Sequence, residues 1–194
     1  MKPLENMNLT GQFLIAMPAM QDPFFSKTVT FICTHNEDGA MGVVLNRPMQ
    51  ITLDHLFDQI NIDCEHPAIG EIPVFFGGPV QTERGFVLHT PNIEYNSTLQ
   101  INAAVALTTS KDILESTAQD AGPEKIFISL GYAGWSAGQL EDEMSKNAWL
   151  SVNVTQTKAL YDLIFNLPYD EKLPTAMRLM GVDFATLSDV AGHA

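Results

Sequence analysis

Hydrophobic and polar positions alternate in short bursts along this chain, and most bursts have the length of a strand. Gln12 to Met17 is a buried-strand run that Pro18 stops. Thr28 to Thr34 alternates β-branched and apolar residues, the pattern of a second strand. Asn36-Glu37-Asp38-Gly39 follows, and Asp-Gly readily supplies the positive φ of a tight hairpin turn. Ala40 to Leu45 is the returning strand, so residues 28–45 form a predicted hairpin. Thr52 caps a helix whose Leu53, Leu56, Phe57 and Ile60 fall at i, i+3, i+4 and i+7, one apolar stripe.

Further strands are predicted at 72–76, 85–89, 97–101, 126–130 and 149–152. Helices are predicted after Ser110, from the glycine segment at 134–138 to about Lys146, after Thr155, and from near Pro174 to Gly181. Strands and helices mix without a regular βαβ beat, which favours α+β over a doubly wound sheet. Neither linker nor repeat interrupts the chain, so one domain spans residues 1–194.

Composition narrows the function classes. The chain has 194 residues, 45% of them hydrophobic, enough for one substantial core. No apolar run approaches the roughly 18 residues that a membrane helix needs, and Met1 to Asn6 does not begin a secretory signal. Two cysteines are too few for a disulfide scaffold and fit a reducing cytoplasm, the expected location. Net charge is −13, and the lysines and arginines are scattered, so direct nucleic-acid binding is not expected.

Gly134-Trp135-Ser136-Ala137-Gly138 spells G-x-S-x-G between an apolar run and an amphipathic acidic one. That is the layout of a hydrolase nucleophile elbow, which also needs a histidine base and an orienting carboxylate. Downstream, His193 is the one histidine, with Asp162, Asp170, Asp183 and Asp189 as undistinguished orienters. His89 is a base in a non-standard order, with Gly77 and Gly78 as oxyanion donors. Against this, Ser136-Ala137-Gly138-Gln139 spells a helix capping box, with Glu141, Asp142 and Glu143 suited to the positive helix end. Those three carboxylates also argue against a phosphate loop.

Cys33-Thr34-His35 and Cys64-Glu65-His66 lack the ligand spacings of structural zinc sites, so no metal is expected; Cys33 remains a candidate reactive thiol. Arg47 and Arg84 each sit beside a strand end. With Gly77, Gly78 and His89 they form a candidate cleft for a carboxylate or phosphate. The plainer alternative pairs each arginine with one of the chain's 23 acids.

Several blocks, taken together, resemble the AlgH/YqgE family of bacterial proteins. They are Gly11 to Pro18, Asp22-Pro23-Phe24-Phe25, Gly42 to Pro48, Phe76 to Val80, Arg84 to His89, and Gly131 to Glu143 with Asn147 to Leu150. They come in the family's order over about residues 10–150. The resemblance implies a compact α+β fold, a mixed, barrel-like sheet flanked by helices. It implies no established catalytic activity and no metal or cofactor. The family name carries a link to transcriptional regulation of alginate synthesis. In that family the two positions between Trp135 and Gly138 vary, which suits a cap better than a nucleophile. The reading is therefore a binding protein for a small ligand or protein partner, with any regulatory role indirect. The alternative is a small serine hydrolase using Ser136 and His89.

Overall fold

Strands that alternate two kinds of apolar residue bury both faces, and that is how β1 (Phe13–Ala16) behaves. Phe13 and Ile15 enter one core, while Leu14 and Ala16 enter another. The computed structural model describes residues 7–181. Its ten strands form one sheet in the order β10 (Trp149–Val152), β1, β2 (Val29–Asn36), β3 (Gly39–Val44), β9 (Ile126–Ser136), β6 (Val80–His89), β8 (Ala106–Thr108) and β7 (Thr98–Gln100), with β5 (Pro73–Phe76) also on β9 and β4 (Pro48–Thr52) on β5. Pairing is antiparallel except between β5 and β9, so the sheet is mixed. It is curled and barrel-like, flanked by helices, the α+β class that the sequence predicts.

The predicted hairpin is present. β2 (Val29–Asn36) and β3 (Gly39–Val44) pair from Asn36 opposite Gly39 up to Thr30 opposite Val44. α1 (Leu53–Gln59) starts after Thr52 as predicted, although the Thr52 hydroxyl bonds the Asp54 carboxylate and not a backbone N–H. β5 (Pro73–Phe76), β7 (Thr98–Gln100) and α3 (Asp112–Ala118) fall where the polarity pattern predicts them, whereas β4 (Pro48–Thr52) and α2 (Pro67–Gly70) are elements it does not predict. β8 (Ala106–Thr108), three residues long, has no distinctive sequence signal.

The largest departure lies at the glycine segment. β9 (Ile126–Ser136) runs straight through it and pairs on with β3, Gly39 opposite Ser136 and Gly42 opposite Ala133. Gly131, Ala133 and Trp135 point inward while Gly134 and Ser136 are exposed, so the segment keeps the period of a strand. Its first half lies between β5 and β6 (Val80–His89), which makes β9 the spine of the sheet.

α4 (Gln139–Ser145) and β10 (Trp149–Val152) follow β9. α5 (Thr157–Tyr161) then runs into a π-helical turn, Asp162–Asn166, before Pro168. The last helix, α6 (Tyr169–Met180), begins well before Pro174. An interior proline removes one helical hydrogen bond. Pro174 and Asp170, the residue whose carbonyl loses its donor, are both exposed, so water can serve that carbonyl. The apolar stripe of α5, the π turn and α6 covers one face of the sheet, where Leu160, Leu163, Ile164, Ala176 and Met177 meet Phe13, Phe31 and Phe127.

Candidate functional site

The glycines named from sequence are architectural. A Cβ on Gly78 would lie 2.0 Å from the carbonyl carbon of Tyr132, and one on Gly131 would lie 2.2 Å from the Gly78 oxygen. The Gly77-Gly78 strap thus crosses β9 backbone to backbone. Gly77 donates its N–H to Leu130 at 2.8 Å, and its carbonyl accepts from Val44 at 2.8 Å. Its N–H is therefore occupied within the fold.

His89 has no exposed surface. Nδ1–H donates to the Thr90 carbonyl at 2.8 Å, so Nε2 accepts from the Thr108 hydroxyl at 2.7 Å. Burial holds its pKa below the ordinary value of 6.5, keeping the ring neutral. Ser136 lies at the other end of β9, about ten residue steps from Ile126, which pairs with His89. Ten steps are on the order of 30 Å of strand, so the structure does not bring Ser136 and His89 together. His193, Asp183 and Asp189 lie outside the described residues.

Ser136 is only half of a capping box. Gln139 Oε1 accepts from the Ser136 N–H at 3.0 Å, but the Ser136 hydroxyl bonds that same oxygen at 3.2 Å. The N-cap of α4 is Gly138, at φ 76°. The real anchor of this region is Glu143. One carboxylate oxygen accepts from both Trp135 Nε1 (2.9 Å) and Trp149 Nε1 (2.8 Å), and the other accepts from Gln139 Nε2 at 2.9 Å.

Among the described residues neither Arg47 nor Arg84 pairs with an acid, contrary to the plainer expectation. Arg47 donates to the Ser26 carbonyl, beside Asn46, which fastens Lys27 and Val29. Arg84 is exposed, donates to Thr109 Oγ1 at 3.0 Å, and lies 5.9 Å from the Phe86 ring centroid. The two Cys-x-His pairs occupy different places. Cys33 belongs to β2 and is buried in the core, and Cys64 packs near α1. No metal-binding cluster occurs among the described residues. Burial raises the Cys33 thiol far above its ordinary value, which leaves it unreactive and corrects the reactive-thiol reading.

The feature with chemical capacity is one the sequence reading missed. A cleft of about 510 Å³ opens where β5 and β9 meet the π turn and α6, lined by the stacked rings of Phe75 and Phe127. Ile72, Ile128, Leu167, Tyr169 and Lys172 also line it. Lys172 is 2% exposed. Its Nζ donates to the Ile164 carbonyl at 2.9 Å and lies 4.6 Å from the Phe127 centroid and 5.4 Å from that of Phe75. Burial lowers its pKa from 10.5 to about 7. Among the described residues no carboxylate lines the cleft. The available signal was periodicity: Lys172 falls on the stripe of Tyr169, Leu173, Ala176, Met177 and Met180, as a charge amid apolar positions.

Sheet, strap and cleft define a curled α+β protein with a buried amine lining an apolar opening. The chain belongs to the AlgH-like family, whose model matches residues 13–185. A UPF0301 protein of Thiobacillus denitrificans is 60% identical over 191 residues, 98% of this chain and 100% of that one. One from Azoarcus is 52% identical over 187 residues, 96% of this chain and 97% of its own. The solution structure of the AlgH protein from Pseudomonas aeruginosa is 47% identical, covers 100% of both chains and superposes with a TM-score of 0.78. The crystal structure of protein DIP2367 from Corynebacterium diphtheriae shares the fold at 17% identity, covering 95% of this chain and 93% of its own, with a TM-score of 0.69. Among the described residues no helix is long and apolar enough to cross a membrane.

Proposed function

We propose that this protein acts by binding, and that the ligand is a small, mainly apolar molecule with one hydrogen-bond-accepting group. Any part in transcriptional regulation is then indirect, exerted through the ligand or a protein partner in the cytoplasm. One observation carries the reading: a chain of net charge −13 has an apolar cleft that, among the described residues, is lined by no carboxylate and by a single amine. The volume falls in the range of roughly 300–1,000 Å³ common for ligand sites, and apolar walls with few polar groups are their usual character. The aromatic rings supply contact area, while Lys172 fixes orientation.

Octanol tests the site without presupposing its chemistry. Titrated into isotopically labelled protein, it shifts the amide signals of Phe75, Phe127, Leu167 and Tyr169, and Ile72→Trp, which fills the cleft, abolishes the response. Shifts that are absent, or scattered over the surface, refute the assignment. Tight promoter binding by the purified chain at physiological salt refutes the indirect role.

Arg47 and Arg84 are the second reading, as separate anion contacts. Each donates to an uncharged oxygen and keeps further N–H groups available. Gly77, Gly78 and His89 contribute architecture to that reading and no exposed donor.

A further inference from the structure

We propose that Lys172 is a nucleophile, and that the cleft captures an aldehyde or ketone as an imine on its Nζ. This rests on the cleft being a binding site and specifies the ligand's reactive group.

Three features of the geometry converge on it. An amine attacks a carbonyl only through its neutral form, and a lysine supplies that form when an apolar pocket strips its ammonium of water. Lys172 sits in such a pocket, beside the stacked pair of Phe75 and Phe127, with no ion-pair partner among the described residues. Titration near neutrality agrees, since burial brings its pKa to about 7. The second feature is room, because Lys172 is among the residues that line the cleft. The third is the hydrogen bond to Ile164. It uses one N–H of the amine, and a protonated imine retains one N–H to donate to the same carbonyl at no loss to the fold. The two rings stabilise the cationic imine as they do the ammonium.

The step balances without any redox partner. The Nζ lone pair forms a bond to the carbonyl carbon, and a proton passes from nitrogen to the carbonyl oxygen through solvent. The carbinolamine hydroxyl takes a proton from solvent and leaves as water while the nitrogen lone pair forms the C=N bond, which leaves the imine protonated with one N–H. A carboxylate cannot react in this way, and against a partly neutral amine it gains little charge attraction, so a carbonyl is the ligand class that the site favours.

Octanal with cyanoborohydride at pH 7 tests the step on the full chain, followed by digestion and mass mapping. Reductive alkylation is expected at Lys172 at least about tenfold faster than at any other lysine, because ordinary lysines, with pKa about 10.4, are almost wholly protonated at that pH. The α-amino group, ordinarily about 7.7–8.0, reports that the reagents are active. The Lys172 rate rises between pH 6 and 8, and Lys172→Arg loses the adduct. Alkylation of the α-amino group without Lys172, or equal alkylation of all lysines, overturns the proposal. Octanol binding separates the failures. If octanol binds and Lys172 stays unmodified, only the imine falls; if neither occurs, the cleft reading falls with it.

Discussion

Lys172 donates to the Ile164 carbonyl at 2.9 Å and takes the place of a donor that Pro168 lacks. In a regular helix that carbonyl would accept from the N–H four residues on, and proline has none. The π turn registers the same irregularity, since Leu167 N–H reaches back to Asp162 at 2.9 Å. Short π segments frequently occur at functional sites. The buried amine is therefore positioned by a backbone defect two turns away in sequence, and the cleft opens beside it.

Stability should follow the Lys172 proton. Its pKa falls from 10.5 in the open chain to about 7 in the fold, so between these values the unfolded chain binds more protons. Unfolding free energy then rises with pH across that window, by at most about 1.4 kcal/mol per pH unit. Urea midpoints at pH 7, 8 and 9 check this. Wild type gains on Lys172→Met at each step, and parallel profiles contradict it.

Gly78→Ala should cost about 3 kcal/mol or more, because the new methyl meets the β9 backbone at Tyr132 and Ala133 and not the far end of a flexible side chain. Gly78 also has φ 153°, which disfavours any L side chain. Gly85→Ala is the control. Nothing lies within 4 Å of its Cβ, and its change stays within about 1 kcal/mol. Denaturant curves of the two variants decide the matter.

Glu143→Leu strips two buried indoles of their shared acceptor. Hydrogen bonds to a charged group contribute about 1.5–3 kcal/mol each, so a loss of about 3 kcal/mol is expected, with Glu143→Gln in between. The chain's two tryptophans are both in this clamp, so their fluorescence shifts with the same variants.

Ser136→Ala should change stability by no more than about 0.5 kcal/mol, as its exposed hydroxyl meets only the Gln139 side chain. A fluorophosphonate probe should leave Ser136 unlabelled in the wild type. Labelling that disappears in Ser136→Ala would restore the hydrolase reading.

Local signals were read well where the chemistry is local. Asp38-Gly39 specifies a hairpin by its own backbone preferences, and the stripe of α1 emerges from spacing alone. Gly131 and Gly134 misled because glycine in a sequence suggests a break. In the fold Gly131 is needed for a backbone crossing, and β9 continues through both. The buried row of Gly131, Ala133 and Trp135 emerges only in the fold, where β9 pairs on with β3. Arg47 and Arg84 look like ligand donors in one dimension. Only packing shows that Ser26 and Thr109 hold them.

The sequence by itself determined the family, the α+β class, the hairpin and the acidic character of this protein, because each is written in contiguous residues or in bulk composition. Tertiary structure alone decided where the chemistry lies. Lys172 becomes a low-pKa amine only when β5, β9 and the π turn, separated by dozens of residues, exclude water from it together. Desolvation is a property of the assembled surroundings, and no stretch of chain carries it.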